Sequence, residues 1–130
     1  MLFRSTSSHK TVDRIIDSFP GDQQGQVRSM LAESLQAVVA QQLIPKRDGT
    51  GRVMALEVML NTNAIGNLIR EGRTFQIPSA IQSAGRKTGM VLMDQSINEL
   101  LQSGQISAED ARLYMTDPRN LDEAVLAGRF

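Results

Sequence analysis

Few side chains in this 130-residue sequence are spaced for chemistry. Gly85-Arg86-Lys87-Thr88-Gly89 comes nearest to a phosphate loop. Such a loop needs Gly, four residues and then Gly-Lys-Ser/Thr, because backbone amides wrap the phosphates while the lysine reaches the outer one. No Gly-Lys pair occurs in the sequence and no strand pattern precedes Gly85, so an ordinary basic turn is favoured over a small phosphotransfer site at Lys87. His9 is the single histidine and cysteine is absent, which removes triads, thiol nucleophiles and His- or Cys-based zinc sites. His9 itself reads as a surface histidine near a helix start. The acidic pairs Asp13 with Asp17 and Glu109 with Asp110 have no ligand spacing and read as solvated helix faces or dipole partners. Two cationic groups remain: Arg70 and Arg73 with Glu71 beside a short apolar helix face, and Lys46, Arg47 and Arg52 at a turn. Arginine suits bidentate contact with carboxylate or phosphate across an interface, exposed helix-end charge being the plainer reading. None of these groups defines a reaction.

Composition narrows the classes further. Fourteen basic residues balance fourteen acidic ones, so no electrostatic bias toward nucleic acid or anionic lipid is present. Aromatics make up 4% and tryptophan is absent, which argues against stacking platforms for single strands or sugars. The lack of cysteine suits a reducing cytoplasm. Met1-Leu2-Phe3-Arg4 is too short for a signal peptide, and no apolar run approaches the roughly 18 residues a membrane span needs. At 41% hydrophobic residues the chain can build one domain with a modest core.

The elements that must position any site are organised around residues 37–60. Val38, Val39, Ala40, Leu43 and Ile44 run to Pro45, Asp48-Gly49 turns, and Val53-Met54-Ala55-Leu56-Glu57-Val58-Met59-Leu60 runs on, the pattern of a β-hairpin. In the second run Val53, Ala55 and Met59 point one way and Met54, Leu56, Val58 and Leu60 the other. Only Glu57 interrupts a strand apolar on both faces, which belongs inside a sheet. Leaving the second set wet would forgo roughly 6 to 12 kcal/mol, at about 1.5 to 3 per side chain. Two readings stay open: strands from upstream sequence or from a partner complete the layer, or helices of this chain cover both faces.

Helices are expected on either side. Ser7 or Ser8 caps one with Val12, Ile15, Ile16 and Phe19 in register, after a polar, ragged segment 1–8. Asp22 caps a second through Val27, Met30, Leu31 and Leu35. After the hairpin, Asn61 or Thr62 opens a helix with Ala64, Ile65, Leu68 and Ile69 on one face. Pro78 sits in the first turn of a helix over 77–84. Met93, Ile97, Leu100 and Leu101 mark another that Gly104 closes. Ser107 with Asp110 forms a capping box before Ala111, Leu113, Tyr114 and Met115, and Asp117-Pro118 caps a last short helix with Leu121, Ala124 and Val125.

Several stretches resemble one family in order and spacing: Lys10-Thr11-Val12-Asp13-Arg14-Ile15-Ile16-Asp17-Ser18-Phe19-Pro20, Leu31-Ala32-Glu33-Ser34-Leu35-Gln36-Ala37-Val38, Asp48-Gly49-Thr50-Gly51-Arg52-Val53, Ala64-Ile65-Gly66-Asn67-Leu68-Ile69-Arg70-Glu71, Met93-Asp94-Gln95 and Asp117-Pro118. The family is that of the PilT-like type IV pilus retraction (twitching motility) ATPases, within the secretion-superfamily hexameric motors. The resemblance implies an α+β fragment. Residues 1–60 would form the end of a RecA-like α/β motor domain, two helices and a hairpin without its phosphate-binding loop, and residues 61–130 a helical C-terminal subdomain. It implies a retraction motif at Ala64, Ile65, Asn67, Leu68, Ile69, Arg70 and Glu71, where Gly66 departs from the family's arginine, and a histidine-box position where Arg4 departs from histidine. Intact members use ATP and magnesium, and this chain is expected to hold neither by itself and to be inactive alone. Expected partners are pilus motor subunits or further copies, as a hexamer, in the cytoplasm beside an inner-membrane pilus platform without insertion. The alternative is a free-standing module that docks on a pilus or secretion motor through residues 64–71.

Overall fold

The computed structural model describes residues 7–121. Arg4, Ala124 and Val125 lie outside the described residues. The order is α1 (Ser8–Asp17), α2 (Gln24–Ser34), β1 (Ala37–Pro45), β2 (Arg52–Leu60), α3 (Asn63–Arg70), α4 (Ile77–Ala84), α5 (Met93–Gln102) and α6 (Ala108–Tyr114). Short 3-10 turns occupy Thr74–Gln76, Arg86–Thr88 and Pro118–Asn120. The expected α+β architecture is present, with helices around one antiparallel hairpin.

The hairpin pairs Ala37 with Leu60 through Pro45 with Arg52. Its turn is closed by the Asp48 carboxylate, which accepts the Thr50 N–H at 2.9 Å and the Thr50 hydroxyl at 2.6 Å. Those bonds hold the Asp48 carboxyl below the usual carboxylate range. Gly49 and Gly51 take φ of 76° and 123°, the left-handed region that the tight reversal requires. One face of the sheet, carrying Ala40, Ile44, Ala55, Glu57 and Met59, is buried.

Two apolar clusters form on the sheet. Val12 and Ile16 of α1, Ala32 of α2, Met59 of β2, Ile65 and Ile69 of α3, Ile77 and Ile81 of α4 and Met90 make one. Ala40, Ile44 and Ala55 of the hairpin, Met93, Ile97 and Leu101 of α5, Ile106, Ala111, Met115 and Leu121 make the other. Both draw on residues before and after Leu60, so the hairpin is the shared floor of the two.

Most expected helices form, and their ends show where local signals gave way. Thr62 accepts the Ile65 N–H at 3.3 Å, Ser107 accepts the Asp110 N–H at 3.1 Å, and α5 ends before Gly104 at φ 77°. Asp22 does not cap α2, which begins at Gln24 after Gln23. Asn61 serves α2 rather than α3: its amide donates to the carbonyls of Ala32 at 3.0 Å and Leu35 at 2.8 Å, closing the C-terminal end of α2. Ser7 precedes α1 without a side-chain cap, and Ser7 and Ser8 are buried rather than ragged. Phe19, Met30 and Leu113 keep the helical spacing yet stay exposed, because no element among the described residues lies over those faces. Asp117-Pro118 opens a 3-10 turn, with the Asp117 carboxylate accepting the Arg119 N–H at 3.0 Å.

Candidate functional site

The segment 64–71 lies almost wholly on α3. Ile65 and Ile69 are buried and Leu68 half-buried, fixing the helix to α2, while Ala64, Asn67, Arg70 and Glu71 are exposed. The Arg70 guanidinium donates to Asn67 Oδ1 at 2.8 Å, and Glu71 faces Arg73 at 3.6 Å. Between α3 and the end of α2 runs a groove of about 540 Å³ lined by polar groups, among them Glu33, Asn61, Asn63, Asn67 and Arg70. Gly66 lies close against the end of α2. A Cβ there would stand 3.1 Å from the Ala32 carbonyl oxygen and 3.5 Å from Asn61 Oδ1.

That geometry decides an outcome. In an open mid-helix site, glycine to alanine gains about 1 kcal/mol. Here the carbonyl in the way belongs to the C-terminal end of α2, pinned by Asn61, so the backbone must shift to admit a methyl group. Gly66→Ala is therefore expected to leave stability unchanged or to lower it by up to about 1 kcal/mol. Urea unfolding measures this; a clear gain in stability would mean the two helices separate easily.

The other sequence candidates fall apart as sites. Arg86 pairs with Glu99 at 3.2 Å, and the Thr88 hydroxyl donates to the Gly85 carbonyl at 2.7 Å, so residues 85–89 form a turn after α4 with Lys87 exposed. Lys46, Arg47 and Asp48 line a shallow groove with Gly104 and Gln105, where the Arg47 N–H donates to the Gln105 carbonyl at 2.8 Å. Arg52 opens β2 and is exposed. Asp13 is not a purely solvated charge, since the buried Thr74 hydroxyl donates to it at 2.6 Å. Among the described residues no group of three His, Cys, Asp or Glu is placed to hold a metal ion.

Two carboxylates carry more structure than the sequence suggested. Glu57, the lone interruption of β2, is 5% exposed, and its Oε2 accepts both the backbone N–H and the hydroxyl of Ser8 while Oε1 accepts the Met93 N–H at 3.1 Å. Asp94, also 5% exposed, accepts the Thr116 N–H and hydroxyl at 2.8 Å each, the Asp117 N–H at 3.1 Å and the Asn120 amide at 2.6 Å. They line one cavity of about 130 Å³ together with Ser7 and His9. The only signals for these roles were a charge inside an apolar strand and the Met93-Asp94-Gln95 match.

His9 is half-buried there rather than a free surface histidine, its Nδ1 paired with the Ser7 hydroxyl at 2.5 Å. Burial holds its pKa below the ordinary 6.5, against the opposing pull of Glu57 and Asp13. A histidine that binds its proton less readily when folded supports the fold above about pH 6.5 and withdraws that support as the pH falls through it. Urea midpoints are accordingly expected to drop as the pH falls below about 6.5, and His9→Gln to flatten that slope. An equally steep slope in the variant would assign the effect elsewhere.

The opposite face of the hairpin stays open. Val39 is 61% exposed, Leu43 48% and Met54 44%, with Leu56, Val58 and Leu60 half-covered on the same face. The N–H and C=O groups of Ala37, Val39, Gln41 and Leu43 point away from β2 and find no partner among the described residues. On the other side β2 is partly closed: Val58 exchanges two backbone bonds with Val91, at 2.9 and 3.1 Å, and the Leu56 N–H donates to the Ser96 hydroxyl at 3.0 Å. The site the molecule offers is thus an unpaired edge continuous with an apolar surface.

No family model matches the chain. Known proteins do. The type IV pilus retraction ATPase PilT of Pseudomonas aeruginosa is 48% identical over 116 residues, which cover 89% of this chain and 33% of that protein. A twitching motility protein of Neisseria gonorrhoeae is 47% identical over 108 residues, 83% of this chain and 29% of that one. Among solved structures, that of the pilus retraction motor PilT with bound ADP superposes with a TM-score of 0.80 at 37% identity, over 93% of this chain and 33% of that chain. The chain spans about a third of the length of the relatives it matches.

Proposed function

We propose that this chain, the counterpart of the C-terminal region of PilT-like type IV pilus retraction ATPases, acts as one piece of such a motor and completes its fold against the remaining two thirds. The open hairpin supports this reading. A nine-residue edge strand with free backbone groups, beside exposed Val39, Leu43 and Met54, is what a sheet interior looks like when its neighbouring strands are taken away. Residues 1–60 then belong to the RecA-like core and 61–130 to the helical subdomain, with Ala64 to Glu71 as the retraction motif. ATP and magnesium are held by the other part of the motor, in a hexamer on the cytoplasmic side of a pilus platform. No described helix is long and apolar enough to cross a membrane.

The sequence contains no Gly-Lys pair and so no phosphate-binding loop, and turnover by the chain alone has no group to hold the outer phosphates. Purified alone, it is expected to show no magnesium-dependent ATP hydrolysis. Mixed with the N-terminal two thirds of the Pseudomonas aeruginosa PilT as a separate polypeptide, it is expected to form a stoichiometric complex. Hydrolysis by the isolated chain, free of contaminating ATPase, would overturn the first statement, and absence of complex formation with a folded partner the second. The same open edge also serves the alternative of a separate module docking in trans. That reading is favoured if the chain binds an intact motor as tightly as the truncated one.

A further inference from the structure

Glu57 stands where two helices begin. Ser8 and Met93 are the first residues of α1 and α5, and both direct their backbone N–H groups onto its carboxylate, one to each oxygen. Helix N-termini carry unsatisfied donors and partial positive charge, so a single buried anion answers both at once. The two helices otherwise belong to different cores, α1 with the cluster around Ile65 and Ile69, α5 with the cluster around Ile44 and Ile97. Asp94, the next residue along α5, collects the backbone of Thr116 and Asp117.

We propose that Glu57 is a positioning residue that couples the start of α1 to the start of α5, so that a displacement at Ser8 reaches Met93 and, through Asp94, residues 116–120. The physical basis is that Oε1 and Oε2 belong to one planar group. If Ser8 withdraws, Oε2 loses both of its donors, and the carboxylate is free to turn into the adjoining cavity of about 130 Å³. Turning takes Oε1 away from Met93. Ser8 and Met93 are each 1% exposed, so a freed N–H there is rehydrated only by water that enters the cavity.

Ser8→Pro tests it in the full 130-residue chain. Proline is tolerated at the first helical position, and Ser7, at φ −136° and ψ 132°, already has the extended backbone a following proline demands. The change removes both donors from Ser8 at a position whose backbone accepts proline. Residue-resolved hydrogen exchange is expected to accelerate by about tenfold or more at the Met93 and Thr116 amides, neither of which touches residue 8. Acceleration confined to α1 would overturn the proposal, for then Glu57 would hold each helix independently. Should Ser8→Pro fail to fold, Ser8→Ala removes the hydroxyl donor only. The same pattern at smaller amplitude is expected, and an unaltered Met93 amide is again fatal. A second readout follows the charge. The groups facing His9 are Glu57, Asp13 and Lys10, and Glu57 raises its pKa. Glu57→Gln is expected to shift the His9 ring titration downward, which a passive packing role would not do. No shift would show that the carboxylate does not stand charged beside α1.

Discussion

Replacing Glu57 by alanine is expected to cost about 3 to 5 kcal/mol, and Asp94→Ala about 2 to 3. The ranking comes from water rather than from the number of bonds. Asp94 accepts four hydrogen bonds and Glu57 three, yet Thr116 and Asn120 are exposed and rehydrate when Asp94 goes. The Ser8 N–H and hydroxyl and the Met93 N–H lie in residues that are 1% exposed, so they rehydrate less readily when the Glu57 carboxylate is removed. An orphaned buried donor costs about 1 to 3 kcal/mol, whereas a rehydrated one costs much less. For a chain of this size the Glu57 loss lowers the melting temperature by about 10 to 20 °C. Thermal unfolding of the two variants side by side checks the ordering. Asp94→Ala proving the more damaging would place the main polar joint at residues 116–120 instead.

These two carboxylates also mark the limit of what the sequence discloses. Period and punctuation located the elements: Val12 and Ile16 at helical spacing, Pro78 in the first turn of α4, Ser107 before α6, Gly104 after α5 and Asp48-Gly49 between the strands. Each of those signals is local, its cause lying within four residues of its effect. Glu57 reaches Ser8 across 49 positions and Met93 across 36, so from the sequence it could only be a break in an apolar pattern. Asn61 deceived in the same way. It stands where an N-cap for α3 belongs, but the closeness of Gly66 to Ala32 brings the C-terminal end of α2 within its reach. Met30 and Leu113 carry the helical period onto exposed faces, because periodicity reports a stripe and says nothing of what lies opposite. The stretch 64–71 stood out only through the family resemblance, and the structure adds why glycine fits at position 66.

A triple change on the open sheet face, Val39→Thr, Leu43→Thr and Met54→Thr, is expected to separate folding from assembly. All three residues are between 44% and 61% exposed in the chain alone, so each substitution alters its stability by no more than about 0.5 kcal/mol. On the other face the same strand is intolerant: Ile44 is fully buried, and Ile44→Ala is expected to cost about 2 to 5 kcal/mol. If the open face is covered by the preceding strands of a motor domain, the three side chains are buried on assembly at about 1.5 to 3 kcal/mol apiece. Removing most of that apolar surface is expected to weaken association with the N-terminal two thirds of PilT by about 100-fold or more. Threonine is β-branched and well accepted in strands, so pairing within the hairpin is not itself disturbed. Titration calorimetry of the unaltered and triply changed chains supplies both affinities, with urea unfolding as the control. Unchanged affinity would mean that Val39, Leu43 and Met54 remain wet in the complex, and the motor would then have to engage this chain through α3 and the polar groove beside it.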